Sequence, residues 1–180
     1  MAWTAPKTFT SSTVLTASDL NQQIRDNLKQ CAAANFTPLG NYFVSTDPNQ
    51  LAMRQYKKAT SLASSQTTST SYTDLPDGLG PSITIETGTE ALVIYGCQLE
   101  NDTAGFSAFM SITVSGNTSI AADTNVNSIR WMNNAGYAVQ VSQFWYVDTL
   151  NAGENTFTAK YAVGGNTGTF SRRRMVVIPY

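Results

Sequence analysis

A series of short β-branched and aromatic runs between residues 72 and 180 constrains the fold of this chain more than any other feature. Gly, Asn and Asp residues interrupt these runs at intervals of roughly 8–14 residues, a spacing typical of a β-sandwich or barrel. The runs predict strands at 82–86, 90–99, 106–114, 127–132, 138–147, 155–162 and 170–178. A further strand near 56–62 would complete the strand set of a jelly roll. We therefore expect a mainly β chain built on an antiparallel jelly-roll β-sandwich.

Apolar and polar residues alternate within several of these runs, which places them on opposite faces of a sheet. Tyr95, Cys97 and Leu99 are predicted to share one face. Residues 143–147 break the alternation because they are apolar on both faces. Such a strand is either central in the sandwich or covered by a neighbouring subunit.

The aromatic residues of that strand, Phe144, Trp145 and Tyr146, are therefore candidate subunit-interface or intersheet residues. The other candidates come from the cluster Arg172-Arg173-Arg174, in which Arg172 and Arg174 share a face of a regular strand. Adjacent cations cost less if carboxylates of a neighbouring strand or chain lie opposite them. An inter-subunit or intersheet salt bridge is favoured here over an anion-binding site.

The composition excludes several classes of function. The net charge is −1, without long runs of either sign, so nothing indicates a nucleic-acid partner. The chain has no histidine, the side chain most often used as a general base and metal ligand. Cys31 and Cys97 form no metal-binding spacing, and both are interpreted as buried thiols.

No catalytic or metal-binding motif is complete. Residues 123–127 supply the first three ligand positions of an EF-hand loop, but Ser128 and Asn134 stand where glycine and glutamate are required. A nucleophile motif and a phosphate-binding loop are also missing. The sequence therefore predicts a non-enzymatic protein with no cofactor and no metal.

The N-terminus lacks the apolar core of a signal peptide, and no run reaches the ~18 apolar residues of a membrane span. Pro6 favours an extended arm at the start of the chain. Thr16 then has the character of a helix N-cap, and Asp19 lies in the first turn. We expect a soluble protein that begins with this arm and a short α-helix.

An apolar stripe runs along that helix through Leu20, Ile24 and Leu28. A stripe this narrow is closer to a coiled-coil seam than to the face of a core helix, and so short a helix needs a partner surface. It packs either on the β domain of its own chain or, as we favour, on another chain. In the second case Trp3 and Phe9 are anchor residues.

Three regions follow from these patterns: an arm and docking helix at 1–34, a connector at 35–71 and the jelly-roll domain at 72–180. Within the connector, the short apolar runs 42–44 and 51–54 predict a small β-hairpin. The Ser/Thr-rich stretch 64–71 is either an exposed edge strand or a loop.

The N-terminal residues resemble a signature of small virion proteins of tailed bacteriophages. In these proteins a W-x-x-P-x-x-F stretch, here residues 3–9, precedes an L-T-A-x-x-L-N-x-x-I-R-D-N-L helix, here 15–28. The segment 37–53 is similar to connectors of phage fibre-like proteins, and 72–178 to the TNF/C1q-like jelly-roll heads that often end such chains. The resemblance implies a virion component, assembled in the host bacterial cytoplasm, of the minor tail, fibre-like or head-decoration type. It also implies a homotrimer formed through the heads and brings no catalytic residues.

Three hypotheses follow. In the leading one, Trp3, Phe9, Leu20, Ile24 and Leu28 dock the chain on capsid, neck or tail proteins, and the β domain forms a homotrimer. In the second, the chain is a receptor- or glycan-binding module that contacts the host surface through residues 101–105 and 133–136. The third is a glycan-degrading enzyme, whose carboxylates need not be neighbours in sequence. None of the three involves nucleic acid or a membrane.

Overall fold

The computed structural model describes residues 7–8, 10–12, 14–26, 40–47, 50–76, 78, 80–132 and 136–180. The chain divides into two compact units, Met1–Gln55 and Tyr56–Tyr180. The second unit includes residues 56–71, which lie within the predicted connector.

Two antiparallel sheets make up the second unit. Its strands are β3 (Lys57–Ser61), β4 (Ser65–Thr67), β5 (Ser82–Thr87), β6 (Ala91–Asn101), β7 (Ser107–Gly116), β8 (Ser128–Met132), β9 (Val139–Val147), β10 (Gly153–Val163) and β11 (Gly168–Pro179). The four-stranded sheet has the order β5-β10-β7-β8. The five-stranded sheet has the order β3-β11-β6-β9, and β4 pairs with β11 beyond the end of β3.

The predicted antiparallel jelly-roll β-sandwich is confirmed. Each strand predicted between residues 82 and 178 is present, with ends displaced by at most about two residues. The predicted strand near 56–62 is β3, and the stretch 64–71 contributes β4.

The core lies between the two sheets, where the alternating apolar residues of β6, β7, β10 and β11 meet. Tyr95, Cys97 and Leu99 of β6 face this core and are almost completely buried, as predicted. The thiol of Cys97 is free, and burial raises its pKa, so it stays protonated and packs as a small apolar group. Cys31 lies outside the described residues.

Strand β9 lies at an edge of the five-stranded sheet, paired with β6. Of the two alternatives for residues 143–147, this topology excludes the central position. Trp145 and Val147 face the core, whereas Phe144 and Tyr146 face outward.

The strand register gives the sandwich two distinct ends. At one end, termed the base, Lys57 at the start of β3 pairs with Val177. At the opposite end, termed the distal end, Asn101 pairs with Gly168. The β6–β7 loop and the β10–β11 loop therefore lie at the distal end.

The loops at the base are held by the buried side chain of Asn155. Its Nδ2 donates to Thr87 Oγ1 (2.8 Å) and to the Asn151 carbonyl oxygen (2.9 Å), and its Oδ1 accepts from the Thr118 N–H (2.8 Å). One amide thus joins strands from the four-stranded sheet to two neighbouring turns.

The EF-hand-like segment 123–127 forms a hydrogen-bonded turn. Asp123 Oδ1 accepts from the N–H groups of Asn125 (2.6 Å) and Val126 (3.2 Å), and Asn127 Oδ1 accepts from Asp123 N–H (2.9 Å) and Ser111 Oγ (2.6 Å). Asp123 Oδ1 and Asn127 Oδ1 thus already accept hydrogen bonds from the chain itself. Among the described residues, no three His, Cys, Asp or Glu side chains are grouped as metal ligands would be.

In the first unit, the predicted N-cap is present. Thr16 and Asp19 form a reciprocal capping box at the start of α1 (Ala17–Leu20). Lys7 binds the Asp19 carboxylate as well, so the arm contacts the first helical turn. These hydrogen bonds, the one from Lys7 foremost, lower the pKa of Asp19 to about 2.

The helix does not continue in α geometry after Leu20, although the apolar spacing of Leu20 and Ile24 predicts an α-helix there. A π-helical segment follows at Asn21–Asp26, in which the backbone hydrogen bonds join residues five positions apart instead of four. The i, i+4 spacing of Leu20 and Ile24 therefore does not form a straight stripe. Across the described part of the chain, no helix is long and apolar enough to cross a membrane.

The predicted hairpin of the connector is confirmed as β1 (Asn41–Asp47) paired with β2 (Gln50–Gln55). Phe43 lies opposite Met53, and Val44 lies opposite Ala52. Apolar residues thus occupy both faces of a two-stranded sheet, a structure that is only marginally stable by itself in water.

Candidate functional site: the outer face of the five-stranded sheet

The side of the five-stranded sheet that faces away from the core, termed the outer face, carries apolar residues in cross-strand rows. Directly paired residues of neighbouring strands lie on the same face of a sheet. The register places Lys58, Val176, Ile94 and Phe144 in one row. The next row toward the base joins Ile178, Leu92 and Tyr146.

The exposure of these residues rises toward β9. Val176 and Ile178 are half-buried, Ile94 is 40% exposed, and Phe144 at the edge is 72% exposed. These rows are partly exposed apolar surface on a folded domain, and the exposure is greatest at the edge strand. The aromatic side chains would lose solvent contact if a partner covered the edge strand.

Glu90 adds a carboxylate to the aromatic side of the outer face. Tyr146 donates its phenolic hydrogen to Glu90 Oε2, and the Tyr146 and Tyr180 rings lie 6.3 Å apart with a 50° tilt. The hydrogen bond to Glu90 raises the pKa of Tyr146 to about 12, so the phenol remains a donor at any physiological pH. Phe144, Tyr146, Tyr180 and Glu90 are termed the aromatic edge.

Exposed cations lie toward the opposite edge of the same outer face, on β3 and the neighbouring strand β11. Lys58 lies on β3, and Arg174 pairs with Thr60 of β3 one row closer to the distal end. Arg172 is exposed beside them. Within the described residues, no carboxylate lies within 4.0 Å of these three cations. Lys58, Arg172 and Arg174 are termed the basic edge.

The arginine cluster is split by a β-bulge. Arg172 has φ 51°, and the pairing of β11 with β6 shifts between Ser171 and Arg174. Arg173 is fully buried, and its Nη2 donates to Ser61 Oγ (2.9 Å) and to the Ala63 carbonyl oxygen (3.1 Å). Arg172 and Arg174 are both exposed while Arg173 turns inward.

The burial of Arg173 was not foreseen from the sequence. Its guanidinium carbon also lies 5.9 Å from the ring centroid of Tyr161. The sequence does contain a signal for it. Residues 170 and 175 are both apolar, but in a regular strand residues five positions apart face opposite sides of the sheet, so both cannot face the core. That parity change points to a bulge between them.

A close approach of two strands fixes the position of β9. A Cβ atom at Gly96 of β6 would lie 2.5 Å from the Val141 carbonyl oxygen and 3.0 Å from Ser142 Cα. Only glycine permits this spacing, since real Cβ atoms do not approach other heavy atoms so closely. The aromatic edge is therefore positioned by backbone contact with the centre of the sheet.

The predicted docking residues are only partly within the described chain. Leu20 and Ile24 are 43% and 53% exposed. Trp3, Phe9 and Leu28 lie outside the described residues. Among the predicted interface residues, Trp145 points into the core, whereas Phe144, Tyr146, Arg172 and Arg174 are brought together on the outer face.

The distal end presents a second, smaller exposed surface. Buried Asn101 donates from Nδ2 to the Gly165 carbonyl oxygen (3.1 Å) and accepts from the Thr103 N–H (3.0 Å), which joins the two distal loops. Phe106 and Tyr137 are exposed there. Residues 133–135, part of the predicted contact loop, lie outside the described residues.

No protein-family model and no curated protein matches this sequence. Solved structures with a similar arrangement include that of the infectious bursal disease virus Gt strain (TM-score 0.48, 14% identity), which covers 76% of this chain and 37% of the viral chain. Others are Eiger TNF from S. frugiperda (0.44, 7%, covering 69% and 92%) and a carbohydrate-binding module of Cellvibrio mixtus lichenase 5A in complex with cellotriose (0.33, 8%, covering 79% and 88%). This chain thus spans little more than a third of the length of the viral protein.

Proposed function

We propose that this chain is a non-enzymatic structural protein of a tailed bacteriophage particle. It acts as an appendage or decoration protein, anchored to head, neck or tail by its N-terminal segment, and its β-sandwich heads associate as a homotrimer. The observation that carries the proposal is the outer face, where Ile94, Phe144 and Tyr146 leave apolar surface uncovered on a folded head. The signature at residues 3–28 supports the phage assignment.

The anchor is tested by the triple variant Leu20→Ala/Ile24→Ala/Leu28→Ala in phage assembled with the full chain. Truncating three apolar contacts of about 1 kcal/mol each is expected to lower the amount of protein per particle at least about tenfold, because docking loses buried apolar area. Quantitative mass spectrometry of purified particles measures this amount.

Gln22→Ala provides the control, since Gln22 is an exposed polar residue of the same helical segment. The melting temperature of the head should be unchanged in both proteins. Particles that carry normal amounts of the triple variant would show that this segment is not the anchor.

A second candidate function is binding to a host-surface glycan at the distal end. Exposed Phe106 and Tyr137 in this position favour it, because aromatic rings stack on sugar faces. On a glycan array, selective binding by the wild-type chain that falls at least about tenfold in Tyr137→Ala would establish this activity. Tyr56→Ala, which removes an exposed tyrosine at the base, serves as the control. Absence of selective binding by the wild type would rule the candidate out.

A further inference from the structure

The outer face separates two chemically complementary groups of side chains. The aromatic edge lies on β9, just before β6 and just beyond the end of β11, and the basic edge lies on β3 and within β11. Two or three inter-strand steps of about 4.8 Å separate Phe144 of β9 from the cations of β11 and β3, which is roughly 10–14 Å on one face. The half-buried apolar residues Leu92, Val176 and Ile178 lie between them.

Neither edge is fully satisfied within its own chain. Among the described residues, the three cations make no ion pair, and the Glu90 carboxylate accepts its hydrogen bond from the neutral phenol of Tyr146. Phe144 is 72% exposed, so its ring is accessible to a cation. A guanidinium or ammonium group on an aromatic ring, next to a carboxylate, gains both cation–π and charge-assisted hydrogen-bond energy.

We propose that copies of this chain associate head to tail across the outer face, with the aromatic edge of one copy lying on the basic edge of the next. The inference rests on the self-association in the proposed function and names the residues that direct it. A contact between two different patches is heterologous, and it closes into a ring when the rotation between copies allows. In a trimeric ring every aromatic edge and every basic edge is covered.

The distribution of exposure favours this arrangement over a two-fold dimer with outer faces opposed. Opposed faces would bury the centre of the sheet most deeply, but Leu92, Val176 and Ile178 are already half-buried there, and the most exposed apolar residue of this face, Phe144, lies on the edge strand. An edge strand that projects an aromatic side chain fits onto the flank of a neighbouring sheet. The apolar side chains at the centre of the sheet then add buried surface area beside the charged contacts.

Charge reversal in the full-length chain tests the pairing. Glu90→Lys and the double variant Lys58→Glu/Arg174→Glu are each expected to weaken self-association at least about tenfold, since like charges would then face each other. Sedimentation equilibrium measures the mass and the dissociation constant. Glu154→Lys makes the same charge change on β10 of the other sheet and should leave association unchanged.

Combining all three substitutions in one chain restores opposite charges at every head-to-tail contact and should return the trimer. An equimolar mixture of the two separate variants distinguishes a head-to-tail ring from a two-fold dimer. An odd-numbered ring built from two chain types always retains at least one like-charge contact, so the mixture should associate more weakly than the combined variant. Full recovery of the mixture as a dimer would overturn the head-to-tail ring in favour of two-fold pairing.

The outcomes separate this inference from the proposal on which it rests. A wild-type chain that stays monomeric at every concentration overturns self-association altogether. A wild-type oligomer that resists Glu90→Lys and the Lys58/Arg174 variant overturns only the pairing of the edges. Unchanged melting temperatures of the monomeric heads confirm that the variants fold.

Discussion

Asn155→Ala is expected to lower the free energy of unfolding of the sandwich by about 3 kcal/mol, which corresponds to a fall in Tm of roughly 10 °C. The substitution removes one acceptor and two short donor contacts at once. The N–H of Thr118 and the hydroxyl oxygen of Thr87, both in buried residues, then lose this partner, whereas the carbonyl group of the exposed Asn151 can bind water. Buried polar groups left without partners cost about 1–3 kcal/mol each.

Urea denaturation of the full chain, followed by fluorescence and by far-UV circular dichroism, measures the effect. Asn125→Ala is the matched control, because Asn125 is exposed in a turn; that change should stay within about 0.5 kcal/mol. A loss below about 1 kcal/mol for Asn155→Ala would show that the base loops do not depend on this amide.

Gly96→Ala is expected to destabilise the head by about 2–3 kcal/mol and to abolish association through the aromatic edge. The added methyl group would overlap the backbone of β9 at Val141 and Ser142. No side-chain rotation can relieve that overlap, so β9 must move away from β6. Phe144 and Tyr146 move with it, and the outer face loses its shape.

The comparison for this substitution is Gly80→Ala. A Cβ atom at Gly80 would lie 3.6 Å from Tyr161 Cε2, an ordinary contact distance, so this variant should fold and associate like the wild type. Sedimentation and thermal denaturation of the two proteins provide the measurement. If Gly96→Ala keeps both wild-type stability and wild-type mass, β9 is not fixed by close contact with β6.

Most of the fold could be predicted because a period-two alternation is a local property of the sequence. Tyr95, Cys97 and Leu99 show their inward direction without any knowledge of their neighbours. The edge position of β9 could not be predicted in this way, since it depends on which strands pair across long sequence distances. Residues 143–147 would carry apolar side chains on both faces whether the strand were central or at an edge covered by another subunit.

The remaining differences have local physical causes. Asparagine is common in turns, so Asn155 does not stand out in the sequence. Only the folded chain shows that its side chain forms hydrogen bonds with four groups. In the helical segment, the apolar spacing of Leu20 and Ile24 fits an α-helix, whereas the backbone from Asn21 to Asp26 is π-helical. The complementary edges of the outer face likewise depend on the strand order, which brings Lys58 and Phe144 into one row.

The bulge at Arg172 makes β11 one residue longer than a regular strand with the same inward-facing residues. Up to Phe170 the even-numbered residues face the core, and from Arg173 onward the odd-numbered ones do. Removing Arg172 from the count leaves one uninterrupted alternation, so this arginine behaves as a single-residue insertion in an otherwise regular strand. The sheet accommodates it without reversing the inside and outside of either half. Loss of one arginine codon from the triplet would therefore preserve the alternation of the core while removing one cation from the outer face.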